Sequence, residues 1–392
     1  MARGQDIVPA RPTVVYLSLN RWQGPRQRTQ HIAAGLSRTR RVIFVEPAAY
    51  SLPGVLRRRW RGNHSVPPRT GAFTRISETL HVYSPSPGLP GSLQIRWLNR
   101  LVHARARTGL EAATGRIAPG TVDVVLTWPP ALDLAQRLRP RRLVFDCLDL
   151  FPAFVDGHRR RLLESLEAEI ARCASVVTVT SRALERRWTP RHQGVRRIPN
   201  AVDLATFAGA RAAVPAPEVA RLPPPRLGYV GTVGRWLDVP LLASVARQRP
   251  TWSLVLIGPI DQGVERPRDV PNVHFLGERP YASLPAHLAG LDVLLIPFHV
   301  TDLTQAVNPI KFYEYCAAGR PIAATPIDEL AAFGDLCHLG AGPEGFLRAV
   351  DAALSESRSP DPARVTGRLH VACANTWEER VATFTELLDE SI

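Results

Sequence analysis

Lysine is almost missing from this 392-residue chain: Lys311 stands alone against 48 arginines. A compact ammonium and a planar guanidinium are not interchangeable. Lys311 is therefore a candidate for a place where arginine does not fit. Long apolar runs are missing too; nothing approaches the ~18 residues a membrane-spanning helix needs. No apolar stretch follows Arg3 and Arg11, so residues 1–12 do not read as a secretory signal. The five cysteines (147, 173, 316, 337, 373) form no C-x-x-C pair, and no histidines cluster at metal spacing. That argues against a disulfide scaffold or a structural zinc site and fits a reducing compartment. There is no Walker A loop, G-x-S-x-G elbow, H-E-x-x-H helix or D-x-D pair for a divalent metal, and no 20–50-residue repeat. The chain is 45% hydrophobic and 21% charged, a globular composition too long for one core of ~250–300 residues.

Acidic residues are scarce in the first half. Residues 1–200 carry a net +20 and residues 201–392 a net −6. The basic excess concentrates in Leu56-Arg57-Arg58-Arg59-Trp60-Arg61 and in Arg96-Trp97-Leu98-Asn99-Arg100, continuing through Arg105 and Arg107. Arginine beside tryptophan and leucine suits an anionic membrane surface or an anionic acceptor. Nucleic acid would be attracted as well, and an arginine-rich proteome decorating its solvated faces gives the same pattern.

Strand-like and helical stretches alternate along the chain. Strands are predicted at 13–19, 42–45, 123–127, 143–146 and 176–179, with helices at 27–38, 133–138 and 159–172 between them. Residues 205–226, ending in Pro223-Pro224-Pro225, read as a linker. The alternation then restarts, with strands at 226–231, 252–257, 273–276 and 293–296 and helices near 239–248, 283–289 and 309–318. This predicts an α/β protein with two doubly wound halves facing a central cleft. The expected division is 1–200, 201–375 and a last helix, 376–392, that crosses back to the first domain.

The segment Asn308-Pro309-Ile310-Lys311-Phe312-Tyr313-Glu314 to Gly319 carries the clearest chemistry. Asn308 suits an N-cap, Pro309 the first helical position and Gly319 the C-terminal stop. A helix N-terminus beside Lys311 suits phosphate. Glu314 lies one turn on, about 5–6 Å away, placed for sugar hydroxyls. Gly231-Thr232-Val233-Gly234-Arg235 follows a strand: its glycines permit backbone approach to a ligand, and Arg235 could clamp a phosphate. The spacing is not G-x-G-x-x-G, which demotes nicotinamide binding. Asp238 reads as a possible helix cap. In the first half, Gly24-Pro25 opens a helix that carries His31, and Asp146 and Asp149 stand at the C-terminal end of a strand. A carboxylate there could orient an acceptor hydroxyl or act as base.

With these residues assembled, the chain resembles the GT-B glycosyltransferases, in particular the family 4 group and its branch similar to teichuronic-acid-type transferases. The resemblance rests on Trp22 to Ala34, Ile198 to Asp203, Tyr229 to Asp238, Asn272 to Pro280 and Asn308 to Pro321, above all Pro309-x-Lys311-x-x-Glu314-Tyr315-x-Ala317-Ala318-Gly319-x-Pro321. It implies two Rossmann-like domains, a nucleotide-sugar donor (UDP-, GDP- or dTDP-linked) held mainly by the second, and no metal or other cofactor. Position by position, Arg235 and Lys311 would hold the donor diphosphate and Glu314 the ribose or donor sugar, Gly24 would approach the donor phosphate from the other domain, and Gly234 and Asn308 would be donor-binding too. Asp149, Asp146 and His31 would be the catalytic-side groups. Two departures stand out: the glutamate usual eight positions before Glu314 is Ala306, and the histidine usual near the first cleft is replaced by the two aspartates. The expectation is a retaining, metal-independent transferase acting on a hydroxyl of an anionic or lipid-linked acceptor in cell-envelope synthesis. It would be cytoplasmic and peripheral on the membrane, with no nucleic acid as partner. Tailoring of a secreted natural product, a sugar-nucleotide epimerase and a nucleic-acid-binding protein are the alternatives.

Overall fold

Runs of β-branched and aliphatic residues form the strands of two sheets in the computed structural model. The model describes residues 11–48, 71–261, 263–267 and 269–390. The basic run Leu56 to Arg61 lies outside the described residues. The strands are β1 (Thr13–Leu17), β2 (Val42–Val45), β3 (Ala72–Arg75), β4 (Leu80–Ser84), β5 (Val122–Leu126), β6 (Arg142–Cys147), β7 (Val176–Val179), β8 (Val195–Arg197), β9 (Arg226–Val230), β10 (Ser253–Ile257), β11 (Val273–Gly277), β12 (Val293–Ile296), β13 (Ile322–Ala324) and β14 (His338–Leu339). Among the described residues the longer helices are α1 (Arg28–Leu36), α2 (Arg96–Thr114), α3 (Gly157–Cys173), α4 (Val239–Gln248), α5 (Ile310–Ala318), α6 (Gly342–Arg358), α7 (Pro362–Cys373) and α8 (Trp377–Asp389).

Contacts divide the chain into two units. Unit 1 takes the residues up to Val179, Leu184–Ile198 and those from Val381 on; unit 2 takes Thr180–Ala183 and Pro199–Arg380. The short return of 180–183 has a local cause: Ser181 Oγ donates to the Ala306 carbonyl (2.7 Å) and the Arg182 amide donates to Glu329 (2.8 Å).

In unit 1 the strand order is β3-β4-β2-β1-β5-β6-β7-β8, parallel except for the β3–β4 hairpin. Val14, Val15, Val124, Val125, Val144 and Phe145 are fully buried, as expected of central parallel strands covered on both faces. In unit 2 the order is β11-β10-β9-β12-β13-β14, and every pairing is parallel. Both units are thus Rossmann-like, as the alternation of elements predicts.

The linker reading of 205–226 is corrected. That stretch folds as short helices, Leu204–Phe207, Ala208–Arg211 and Pro217–Ala220, and belongs to unit 2. Phe207, Ala210 and Val219 are buried in the core of that unit. Pro217 occupies a first-turn position, where its missing N–H costs nothing. The prolines shape helix starts rather than loosening the chain.

Candidate functional site

In unit 2, β9 ends at Val230, and Gly231 then takes φ +141, a conformation that side chains rarely adopt. The Gly231 amide donates to Ile257 (2.7 Å), and Gly258, at the end of β10, has φ +148. A Cβ on Gly258 would collide with the Gly231 carbonyl. A Cβ on Gly231 would collide with the end of the Lys311 side chain, 2.5 Å from Nζ. The ammonium therefore lies directly against the backbone of the β9 loop, 5.2 Å from the centre of the Tyr229 ring. Tyr229 in turn ties the loop down by donating from its hydroxyl to the Thr232 carbonyl (2.9 Å). Tyr315, one turn along α5 from Lys311, accepts a hydrogen bond from the buried Val230 amide (2.9 Å). Helix, loop and strand are locked in register around the ammonium.

The N-terminus of α5 is open. Pro309 takes the cap position, and no side chain caps the helix. This corrects the expectation for Asn308, which is buried and turned inward. Its Oδ1 accepts from the Asn200 amide (2.9 Å), and its Nδ2 donates to Tyr313 (3.1 Å) and Glu329 (2.8 Å). Asn200 donates back to the Asn308 carbonyl (2.7 Å), so the two asparagines clamp the entry to the helix. Gly319 ends the helix in the left-handed conformation (φ +66), as expected. Lys311 makes no ion pair with a carboxylate among the described residues. Glu314 accepts no hydrogen bond from another side chain there, and its carboxyl is pushed up to about 7, first by burial and then by Asp203, with Lys311 opposing. A cation in no ion pair among the described residues, a helix N-terminus that no side chain caps and a carboxyl that holds its proton up to about pH 7 form a surface suited to a phosphate joined to a hydroxylated group.

The neighbouring loop is less open than its sequence suggests. Gly234 leaves room for the Trp236 ring, which a Cβ would strike at 2.5 Å, so packing alone demands glycine there. Arg235 is exposed on the same loop. Asp238 is a helix cap, accepting from the Leu241 amide (2.9 Å).

In unit 1, Gly24 lies in an exposed loop before α1. Gln30 holds that loop, donating to the carbonyls of Arg21 (3.0 Å) and Pro25 (3.1 Å) while accepting from the Gln27 amide (3.1 Å). His31 is buried on α1. Asp146, fully buried on β6, is held by both Nε and Nη2 of Arg28 (2.9 Å each) and by Thr178 Oγ1 (2.8 Å). Asp149 is different: it accepts no side-chain hydrogen bond among the described residues, and burial pushes its carboxyl up to about 7.

Lys311, Glu314 and Gly231 thus come together in unit 2 with Gly234 and Arg235 following on one loop, whereas Gly24, His31, Asp146 and Asp149 belong to unit 1. Sequence reasoning missed Gly258, Tyr229 and Arg28. A glycine at the end of an apolar run, Leu254 to Gly258, was the available signal for the first; nothing in the sequence pairs Arg28 with a residue 118 positions away.

A sequence profile of the family described as "Glycosyl transferases group 1" matches residues 224–356. The chain is 25% identical over 199 residues to the "Putative teichuronic acid biosynthesis glycosyltransferase TuaH" of Bacillus subtilis, an alignment covering 47% of this chain and 50% of that protein. The chain therefore matches about half the length of that curated relative. Among solved structures it is similar to sucrose-phosphate synthase from Thermosynechococcus elongatus (TM-score 0.72, 15% identity, 96% of this chain and 98% of that one). It is also similar to Anabaena HepE in complex with UDP and glucose (TM-score 0.64, 15% identity, 97% and 100%). A third is the E. coli structure described as "Trehalose-6-phosphate from E. coli bound with UDP-2-fluoro glucose" (TM-score 0.69, 13% identity, 97% and 99%). At these identities the likeness establishes a shared fold.

Proposed function

From the premise that this chain is a glycosyltransferase of the group 1, family 4-like kind with a GT-B fold, we propose that it moves a sugar from a nucleoside diphosphate donor to an acceptor hydroxyl in cell-envelope synthesis. The observation that carries this reading is Lys311: the chain's sole lysine, in no ion pair among the described residues, resting on Gly231 at a helix N-terminus that no side chain caps. As the bond from the sugar's anomeric carbon to the diphosphate breaks, negative charge grows on the departing oxygen. Lys311, Arg235 and the amides at the start of α5 stabilise that charge, which gives the reaction its metal independence. Glu314, protonated in part near neutrality, donates to a hydroxyl of the ribose or the sugar. The acceptor oxygen forms the new bond to the anomeric carbon, with retention of configuration, and its proton passes to Asp149 or to the departing phosphate. Asp146 supports α1 rather than exchanging protons, since both its oxygens are engaged.

The acceptor in this reading is anionic or lipid-linked, and the protein works at the inner face of the cell membrane. No helix among the described residues is long and apolar enough to cross a membrane. The outer face of α2 supports peripheral attachment: Trp97 is 65% exposed and Leu101 39%, with exposed Arg100 and Arg105 on either side.

Calorimetric titration with UDP, GDP and dTDP in EDTA tests the donor site. Micromolar binding of one nucleotide, lost in Lys311→Ala, is expected; no binding of any of the three by the folded protein overturns the reading.

A further inference from the structure

Part of the basic excess of unit 1 gathers around one recess. Between α2 and the short helix Leu132–Arg137, in the crossover from β5 to β6, lies an opening of about 390 Å³ lined by Arg100, Arg107, Asp133, Gln136, Arg137 and Arg139. Arg139 stands just ahead of β6, whereas Asp146 and Asp149 stand at the other end of that strand. The recess is therefore on the flank of the unit, away from the candidate catalytic groups.

The carboxylates nearby do not balance the guanidiniums. Asp133, buried, lies 3.2 Å from Arg96 and 3.6 Å from Arg100. Arg96 also pairs with Glu169 (2.8 Å), and Arg107 pairs with Glu111 (3.1 Å) on its own helix. Gln136 donates to Glu169 (3.0 Å). Arg137 and Arg139, both exposed, make no ion pair among the described residues. Five arginines thus stand against three carboxylates, a net charge of +2. The field reaches buried His103 on α2, whose pKa is pushed down to about 4, first by burial and then by Arg96 and Arg137.

Arg139 also has an unusual backbone. Its φ is +45, and it is the one non-glycine residue in the left-handed region among the described residues. Leu138 caps the short helix, so Arg139 holds the next position, where glycine is the common choice because it has no Cβ to clash. Its amide donates to the Gln136 carbonyl (3.1 Å) and its carbonyl accepts from the Gly120 amide (2.8 Å), which fixes it there. Strained residues of this kind cluster at ligand sites. The exposed guanidinium meets no carboxylate, so the fold alone does not account for arginine at this position.

We propose that the recess binds a phosphate monoester, its dianionic phosphoryl group held between Arg100, Arg137 and Arg139. A monoester carries about two negative charges above its second pKa of about 6, matching the excess of the recess, whereas a diester carries one. Guanidinium forks bind phosphoryl oxygens two at a time. The recess is larger than a bare phosphate and leaves room for a small hydroxylated carrier. That carrier is a soluble ester or the headgroup of a lipid whose chains meet exposed Trp97 and Leu101, on the next strip of α2. The site does not depend on the transferase reading, since Lys311, Glu314 and Gly231 belong to unit 2.

Calorimetric titration of the whole protein with glycerol 3-phosphate at neutral to slightly basic pH tests the site, with the diester glycerophosphoglycerol as control. Saturable 1:1 binding of the monoester is expected, tighter than the diester by about tenfold. Arg137→Gln should weaken it by about fivefold, and Arg139→Gly equally while raising the melting temperature, because glycine relieves the strained φ. Arg105→Gln, on the outer face of α2, should leave it unchanged. Sedimentation with phosphatidylcholine vesicles bearing phosphatidic acid, or phosphatidylglycerol at equal surface charge, distinguishes the carriers. Preference for phosphatidic acid without binding of the soluble ester assigns a lipid headgroup; the reverse assigns a soluble ligand. Neither preference, equal affinity for the diester, or equal loss in Arg105→Gln overturns the site. So does an Arg139→Gly variant that loses both binding and thermal stability, because the arginine then serves the fold. UDP is titrated into every variant: wild-type UDP affinity with no ester binding leaves the transferase reading standing, and ester binding without UDP binding overturns only that reading.

Discussion

At the scale of single residues, the site is defined by how little space surrounds one ammonium. Gly231 has no room for a methyl group beside Lys311, so a wider guanidinium would have to push the loop away or swing out of it. Lys311→Arg, which preserves charge, is therefore expected to lose nucleotide binding nearly as fully as Lys311→Ala; wild-type affinity in a UDP titration of the arginine variant would refute the packing argument. Glu314 gives a second prediction, in pH. Its carboxyl moves from 4.5 to about 7 on folding because burial disfavours the charged form. The folded state thus holds a proton that the unfolded state releases, and this group's contribution to stability is complete below pH ~4.5, declines as pH rises through 7 and is constant above. Glu314→Gln removes that decline. Its Tm should match the wild type near pH 4.5 and exceed it at pH 8 by several degrees, since a shift of this size is worth up to ~3 kcal/mol and each ~1 kcal/mol moves the midpoint of a domain of this size by roughly 2–4 °C. Equal Tm differences at both pH values would show that the carboxyl is not held protonated. At Asp149, also raised to about 7 by burial, Asp149→Asn should lower kcat without changing UDP affinity.

At the scale of elements, one buried ion pair sets where a helix stands against a sheet. Arg28 and Asp146 fasten α1 to β6 with both charges buried. Removing one member of such a pair strands the other and costs ~3–5 kcal/mol. Asp146→Asn should therefore lower the thermal midpoint sharply, measured by calorimetry; a variant of unchanged stability with lost turnover would instead return Asp146 to the chemistry. That pair also marks how far the sequence could be read. The strands at 42–45, 176–179 and 293–296 and the helix at 239–248 stand where hydrophobic periodicity predicts them, because each is a short run with one clear period. The hairpin of β3 and β4 was invisible: Ala72 to Arg75 is half exposed and carries no alternation. Residues 205–226 misled because proline at helix starts and proline in a linker look alike in composition. Within the site, Lys311 and Glu314 were legible because they are local, three positions apart on one helix. Asn308 was not: its side chain answers to Asn200 and Glu329, far off in sequence.

At the scale of the whole molecule, the chain's order and its contact units disagree at the C-terminus, and that disagreement can be measured. Helix α8 begins in unit 2, yet from Val381 its contacts belong to unit 1. Leu387 and Leu388 offer carbonyls to Arg142 (2.8 Å) and Arg141 (2.6 Å), Asp389 pairs with Arg40 (3.0 Å), and Gly35 of α1 leaves room for Val381. Phe384, fully buried, lies beneath the Arg28 guanidinium, 5.5 Å from ring centre to carbon. Deleting that ring should cost ~3–5 kcal/mol, as for other buried phenylalanines, and the loss should fall on unit 1 although residue 384 follows the whole of unit 2 in the chain. A bound nucleotide distinguishes the units, because a ligand raises the melting of the structure that holds it. In scanning calorimetry of Phe384→Ala, the transition that UDP raises should stay where it is in the wild type, and a UDP-insensitive transition should move down. If instead the UDP-sensitive transition falls with the variant, α8 stabilises the nucleotide unit, and the assignment of its last turns to unit 1 is wrong.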